Sequence, residues 1–166
     1  MALSATTRIL TPALSRSFCS KRTKSTMAIQ HFSDDCIFCK IIKGNIPSMK
    51  LVETDKSYSF MDIDPLSPGH ALVIPKYHAE FFHQLPDEYL ADILPIAKRI
   101  ASASKLEQYN VLQNNGKLAN QAVPHVHFHV IPKPNKEQGL GITWKPCKQP
   151  QNEIQKLYED IKQNLQ

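Results

Sequence analysis

The sequence predicts an α+β protein built on an antiparallel sheet. Three observations carry this. Short runs of β-branched and aromatic residues are joined mostly by turn residues, which favours hairpins over parallel crossovers. One long amphipathic segment enters late in the order, over residues 86–106. The run His125-Val126-His127-Phe128-His129-Val130-Ile131 alternates imidazoles with strand-forming residues at period two.

A length of 166 residues suits one domain with tails, and 42% hydrophobic against 21% charged residues is an ordinary globular balance. The net charge of +5 is local. Arg8, Arg16, Lys21, Arg22 and Lys24 fall in residues 1–33, which contain no acid. These are five of the 20 Lys and Arg, so the remaining 15 balance the 15 Asp and Glu. A neutral body offers no basic face for nucleic acid. No apolar run approaches the roughly 18 residues of a membrane span. Neither glycine-rich phosphate loop, GxGxxG or GxxxxGK[ST], occurs.

Residues 1–33 hold six serines and five threonines, with arginines set among Leu3, Ile9, Leu10, Leu14 and Phe18. This Arg- and Ser-rich, acid-free composition is that of a mitochondrial transit peptide. Thr11, Pro12 and Ser15 interrupt the apolar centre that a secretory signal needs. Arg16-Ser17-Phe18-Cys19-Ser20 resembles a matrix-processing site, and Met27 offers a second start giving a shorter cytoplasmic or nuclear form. The alternative is a tail with no address. Residues 34–149 are then the folded domain, and residues 150–166 a C-terminal helix or tail.

Residues 36–42 read as a short helix, with Asp34 or Asp35 as cap, Gly44 as stop, and Ile37, Phe38, Ile41 and Ile42 as the apolar face. Lys50–Glu53 and residues 57–63 read as strands about a Thr54-Asp55-Lys56 turn. Two prolines and a glycine make residues 64–69 a loop. Residues 70–74 form a third strand. In the long helix, Pro86 fits the first turn and Asp87 and Glu88 suit the positive end of the dipole. Tyr89, Leu90, Ile93, Leu94, Ala97, Ile100 and Ala101 recur at three- and four-residue spacing. Pro95 removes a backbone bond and predicts a kink. Tyr109–Gln113 is a fourth strand, and the histidine run is the fifth. Residues 132–149 read as loop. Ile154, Leu157, Tyr158, Ile161 and Leu165 mark an amphipathic C-terminal helix.

Successive strand side chains point to opposite faces, so His125, His127 and His129 line one face and Val126, Phe128 and Val130 the other. A rise of about 3.3 Å per residue spaces the imidazole roots by about 6.6 Å. One face is expected to bury and the other to present the imidazoles. Such a row can bind a metal through neutral imidazole. Alternatively, one histidine attacks phosphorus to give a phosphohistidine-type intermediate that water cleaves, while its neighbours neutralise the nonbridging oxygens. Cys36-x-x-Cys39 is half a zinc site by spacing. It can also be read as a redox pair, though without the expected βαβ setting, or as two buried thiols. Cys19 and Cys147 have no evident partners. His31 and His83 read as solvated, and Asp64 as a loop-capping carboxylate.

The histidine run resembles the motif of the histidine triad (HIT) superfamily, His-x-His-x-His followed by two hydrophobic residues. The likeness spans about residues 34–146. It includes Phe60-Met61-Asp62-Ile63-Asp64-Pro65, Gly69-His70-Ala71-Leu72-Val73-Ile74-Pro75-Lys76, Leu112-Gln113-Asn114-Asn115-Gly116, Gln121 and Trp144. It is most similar to the Hint branch, the nucleotide-binding adenosine 5′-monophosphoramidases, and to its fungal members. The resemblance implies a five-stranded antiparallel sheet with one long and one short helix, extended by twofold dimerisation. The long helix and the Tyr109–Gln113 strand would supply much of the interface.

The resemblance also implies hydrolysis of purine nucleoside phosphoramidates, such as AMP-lysine, to AMP and amine. His127 would attack the α-phosphorus. His129 and His70 would contact the phosphate and reacting groups, and His125 would support the row. Asp62 would accept hydrogen bonds from the ribose hydroxyls. Phe38, Ile41, Phe60 and Ile63 would wall the adenine slot, and Asn114 and Gln121 would help fix the phosphate and the nucleophile's strand. No metal would serve the chemistry. In some relatives, the counterparts of His78 and His125 complete a zinc site, here with Cys36 and Cys39. One departure concerns the leaving group. Asn120-Gln121-Ala122 stands where many relatives have Gly-Gln-Ser, and Ala122 has no hydroxyl to aid the departing amine. Trp144 would reach toward a substrate pocket, that of the partner in a dimer. The alternatives are a dinucleoside polyphosphate hydrolase and a low-turnover nucleotide-binding or scaffolding protein.

Overall fold

A computed structural model describes residues 31–166. Most of the targeting segment therefore lies outside the described residues. Five strands form one sheet: β1 (Lys50–Glu53), β2 (Ser57–Met61), β3 (Ala71–Pro75), β4 (Tyr109–Gln113) and β5 (Phe128–Pro132). Every pairing is antiparallel, in the order β1-β2-β3-β5-β4. Three α-helices accompany it: α1 (Ile37–Ile42), α2 (Asp87–Ala103) and α3 (Gln151–Asn164). The expected α+β class and sheet are as observed.

Strand alternation sorts the core into two layers. Ala71 and Val73 of β3 and Phe128 and Val130 of β5 pack with Val126 against Ile93, Ile96, Ala97 and Ile100 of α2. Leu72 and Ile74 of β3 pack on the other side with Tyr58 and Phe60 of β2, against Phe38, Cys39 and Ile41 of α1. Burying each large aliphatic side chain contributes roughly 1.5–3 kcal/mol. With helices on both faces, β2, β3 and β5 are almost wholly buried. The expectation of one presenting face is corrected here: His125 and His127 are both buried.

Several boundaries shift for local reasons. The ladder of β5 begins at Phe128, because Pro75 and Gln113 end the flanking strands and β3 pairs β5 only from Val73 opposite Phe128. The backbone before it is tied to loops, with Val126 N–H donating to the Ala79 carbonyl at 2.7 Å. His125 and His127 thus precede the strand rather than lying in it. Neither Asp34 nor Asp35 caps α1. The N-cap is Cys36, and Asp34 pairs with Lys43 at 2.8 Å. Gly44, at φ +78°, follows the helix in a left-handed conformation suited to a residue without Cβ. Ile37 leaves the expected apolar face and is exposed. β2 stops at Met61, and α2 runs through Pro95 as one helix and stops at Ala103.

Residues 31–33, read with the tail, are fastened to the body. The His31 carbonyl accepts the His78 N–H at 2.6 Å, and its ring stacks on Tyr77 with centroids 5.1 Å apart. Phe32 packs against the α1 layer. Residues 133–150 carry no helix or strand. The amphipathic α3 forms as expected, with Ile154, Leu157, Tyr158 and Ile161 facing solvent.

Candidate active site and adjoining metal cluster

The three imidazoles share the α1 side of the sheet. Phe38 of α1 meets the His125 and His127 rings edge-on at centroid distances of 5.8 and 5.2 Å. His127 and His129 follow each other at 4.9 Å.

One hydrogen bond determines the state of His127. Its Nδ1 lies 2.6 Å from the His125 carbonyl oxygen. A carbonyl only accepts, so Nδ1 carries the proton and Nε2 the lone pair. Burial pushes the His127 pKa below the ordinary histidine range, against the opposing pull of that bond. The ring is therefore neutral at physiological pH, with a nucleophilic nitrogen.

His70 lies just before β3, next to His129. The Leu66 amide donates to His70 Nδ1 at 3.2 Å, and His70 Nε2 is 2.9 Å from His129 Nδ1. Asp62 Oδ2 stands 3.5 Å from His70 Nδ1, and its Oδ1 accepts the Asp64 N–H at 3.0 Å. In the neutral pair, His70 donates to His129, and His129 keeps its own proton on Nε2. Burial first, then His127 and His70, drive the His129 pKa down to about 4. Burial lowers His70 too, opposed by Asp62.

The expected slot residues Phe38, Ile41 and Phe60 form one apolar cluster beside the imidazoles. Ile63 does not join them and is 86% exposed. Gln121 and Asn114 bond to main-chain groups of the loops around the triad rather than to the imidazoles. Gln121 Oε1 accepts the Gly116 N–H at 2.6 Å, and its amide donates to the Glu80 carbonyl at 2.7 Å. Asn114 donates to the Asn120 carbonyl at 3.3 Å.

Cys36, Cys39, His78 and His125 converge behind the row, with their ligand atoms within 4.8 Å of one another. The helical turn of α1 brings the two thiols to one side. A tetrahedral zinc with Zn–N about 2.05 Å and Zn–S about 2.3 Å sets nitrogens roughly 3.3 Å apart, and nitrogen roughly 3.6 Å from sulfur. The His78 and His125 Nδ1 atoms are 3.2 Å apart. The Cys36–His125, Cys39–His78 and Cys39–His125 separations are 3.4, 3.5 and 3.6 Å. His125 Nε2 donates to the Pro75 carbonyl at 3.0 Å, so the lone pair on Nδ1 faces the cluster. Burial, with Cys36 adding to it, pushes the Cys39 thiol up to about 11, and the Ser33 N–H counteracts it. A divalent cation would offset this by stabilising thiolates. The donors fit a tetrahedral metal in number, chemistry and spacing.

Sequence reasoning missed the backbone partners: the Pro75 carbonyl on His125, the Leu66 amide on His70 and the Ser33 amide on Cys39. A main-chain group leaves no mark of its own in residue types. Only the Pro-Gly loop before His70 hinted that backbone would approach there.

Residues 43–136 match the model of the HIT domain. The chain belongs to the HIT family. It is 54% identical over 131 residues to an adenosine 5′-monophosphoramidase of Saccharomyces cerevisiae, covering 79% of this chain and 83% of that one. It is 56% identical over 130 residues to an adenosine 5′-monophosphoramidase of Schizosaccharomyces pombe, covering 78% and 98%. Among solved structures, the histidine triad nucleotide-binding protein of Candida albicans superposes with a TM-score of 0.75 at 50% identity, over 78% of this chain and 96% of that one. The matched range of this HIT protein, residues 43–136, contains all five strands, α2 and the histidine row.

Proposed function

We propose that this HIT protein hydrolyses the P–N bond of purine nucleoside phosphoramidates, releasing AMP and an amine. The observation that carries this is the forced tautomer of His127, which directs a lone pair from Nε2 of a neutral, buried ring. The names of the two yeast relatives support the same reaction. Nε2 attacks the α-phosphorus, and a nucleotidyl-histidine forms as the P–N bond breaks and the amine leaves with a proton. Water then cleaves the P–N bond to His127. His129 Nε2–H and His70 serve the phosphate oxygens and the proton that the amine needs. Asp62 takes the ribose hydroxyls, and Phe38, Ile41 and Phe60 take the base.

Incubation with an AMP-amine followed by rapid acid quench and peptide mass spectrometry should place adenylate on His127. Turnover without an adduct at that residue would overturn the assignment. Ala122 favours a second reading, a nucleotide-binding protein with little turnover, because it supplies no hydroxyl to the leaving group. Steady-state rates on AMP-lysine and on diadenosine triphosphate separate the phosphoramidase from both rivals.

Cys36, Cys39, His78 and His125 would hold a structural zinc, which supplies a clamp between α1 and the segment before β5. No cofactor enters the chemistry. The protein would act as a homodimer. β4 is an edge strand with Tyr109 and Val111 exposed, and Leu94 of α2 is exposed as well. Twofold pairing along β4 would bury all three and extend the sheet. Trp144, 85% exposed in the single chain, would then approach the partner. Residues 1–33 would direct the longer form to mitochondria. A reporter fused to residues 1–33 should enter them, and diffuse fluorescence would end that reading. No helix among the described residues is long and apolar enough to cross a membrane.

A further inference from the structure

We propose that the metal cluster positions the nucleophile, and that His125 is the residue through which it acts. This rests on the zinc and phosphoramidase readings above and adds a coupling between them.

His125 is fully buried, and each of its polar atoms has a partner. Its N–H donates to the Val123 carbonyl at 2.8 Å. Its Nε2 donates to the Pro75 carbonyl. Its Nδ1 faces Cys36, Cys39 and His78. Its own carbonyl accepts the His127 Nδ1–H. The side chain therefore belongs to the metal cluster, while the main chain of the same residue holds the nucleophile's tautomer.

A second path runs in parallel. Phe38 lies between the two cysteines in sequence, and its ring edge meets both His125 and His127. A metal holding Cys36 and Cys39 thus also holds the ring that packs on the nucleophile. α1 has only six residues and no side-chain cap, so little else pins it from within. Without a metal, the four donors lose their common partner. The His125 side chain then keeps the Pro75 hydrogen bond alone and Phe38 keeps its apolar packing alone, a looser frame in which the His125 carbonyl and the Phe38 ring can shift. A displacement near 1 Å at a reacting group can cost on the order of 10²-fold in rate. A metal that acted only as a distant staple would change unfolding and leave the His127 ring as it was.

The test uses the full chain, zinc-loaded and metal-stripped, with zinc counted by elemental analysis. Nitrogen-15 NMR reads the His127 tautomer, calorimetry reads AMP affinity, and steady-state kinetics read kcat and KM separately. The expected result is one zinc per chain in the loaded protein. On stripping, the His127 Nδ1–H signal should be lost or exchange rapidly. kcat should fall by on the order of 10²-fold, with AMP affinity and KM changing less than about threefold. Re-addition of zinc should restore both signal and rate.

Two failures are distinct. A loaded protein with no zinc overturns the metal reading and the coupling with it. A zinc protein whose His127 signal and kcat survive stripping overturns the coupling alone. Should the stripped protein unfold, His78→Gln weakens the site while keeping Cys36, Cys39 and His125. Zinc titrated into that variant, over the range where circular dichroism is constant, should move the His127 signal and kcat together with occupancy. Invariance of the two across that range overturns the proposal.

Discussion

His70 donates from Nε2 to His129 Nδ1 across 2.9 Å, and the Leu66 amide decides the direction by occupying His70 Nδ1. The proton order outward from the loop is thereby set: amide to His70, His70 to His129. Nitrogen-15 spectra at neutral pH should show both rings neutral and protonated on Nε2. His70→Ala should lower kcat by about tenfold or more, since His129 then loses the donor that sets its tautomer. An unchanged kcat would remove His70 from the proposed chemistry.

Acid should weaken the fold. The His129 pKa is about 4 in the folded protein against 6.5 ordinarily. Between those values, the unfolded chain binds a proton that the folded chain refuses. Stability present above pH 6.5 is therefore lost progressively as pH falls toward about 4. Urea denaturation at pH 7 and pH 5 should show the lower midpoint at pH 5. The difference should shrink in His129→Gln.

His127→Ala should reduce phosphoramidate turnover by on the order of 10³-fold or more, because it removes the proposed attacking nitrogen. AMP binding should persist, since the proposed ribose and base contacts, at Asp62 and at Phe38, Ile41 and Phe60, involve other side chains. Calorimetry and a coupled AMP assay on the same preparation check both. Wild-type turnover in the variant would refute the nucleophile.

Asp62→Asn should weaken AMP binding by about tenfold or more, the scale of a hydrogen bond to a charged group. Binding of 2′,3′-dideoxy-AMP should be the same in both proteins, because the lost acceptor has nothing to accept from that ligand. An equal loss for the two nucleotides would place Asp62 outside the ribose subsite.

Ile93 is fully buried between α2 and the sheet. Ile93→Ala should cost roughly 2–5 kcal/mol of stability through lost burial and a residual cavity. It should leave KM near wild type, since the α2 layer lies across the sheet from the imidazoles. Denaturant midpoints and steady-state kinetics check the two halves of this expectation.

Local patterns made much of this protein legible. Short β-prone runs bounded by turn residues located all five strands, and Tyr109–Gln113 and Lys50–Glu53 have the expected bounds. The spacing of Tyr89, Ile93, Ala97 and Ile100 located the long helix. The alternation of His125, His127 and His129 put them on one side. Cys36-x-x-Cys39 marked a pair of donors. Each of these signals is carried by neighbours in the chain, where backbone geometry alone decides which side chains share a face.

Tertiary structure decided the rest. The sequence could not show that the face bearing the imidazoles is itself buried, because that depends on α1 folding over it. Nor could it show that Asp34 would pair with Lys43 rather than cap a helix, or that His31 would fasten to Tyr77 and His78. By itself the sequence determined which residues could serve the chemistry and the metal: five histidines, two thiols and one carboxylate in a recognisable order. The tertiary structure alone decided the proton on His70, His125 and His127. A tautomer is set by the partner that the other nitrogen meets, and those partners are main-chain groups of Pro75, His125 and Leu66. Main-chain groups are the same in every residue, so only their positions in space distinguish them.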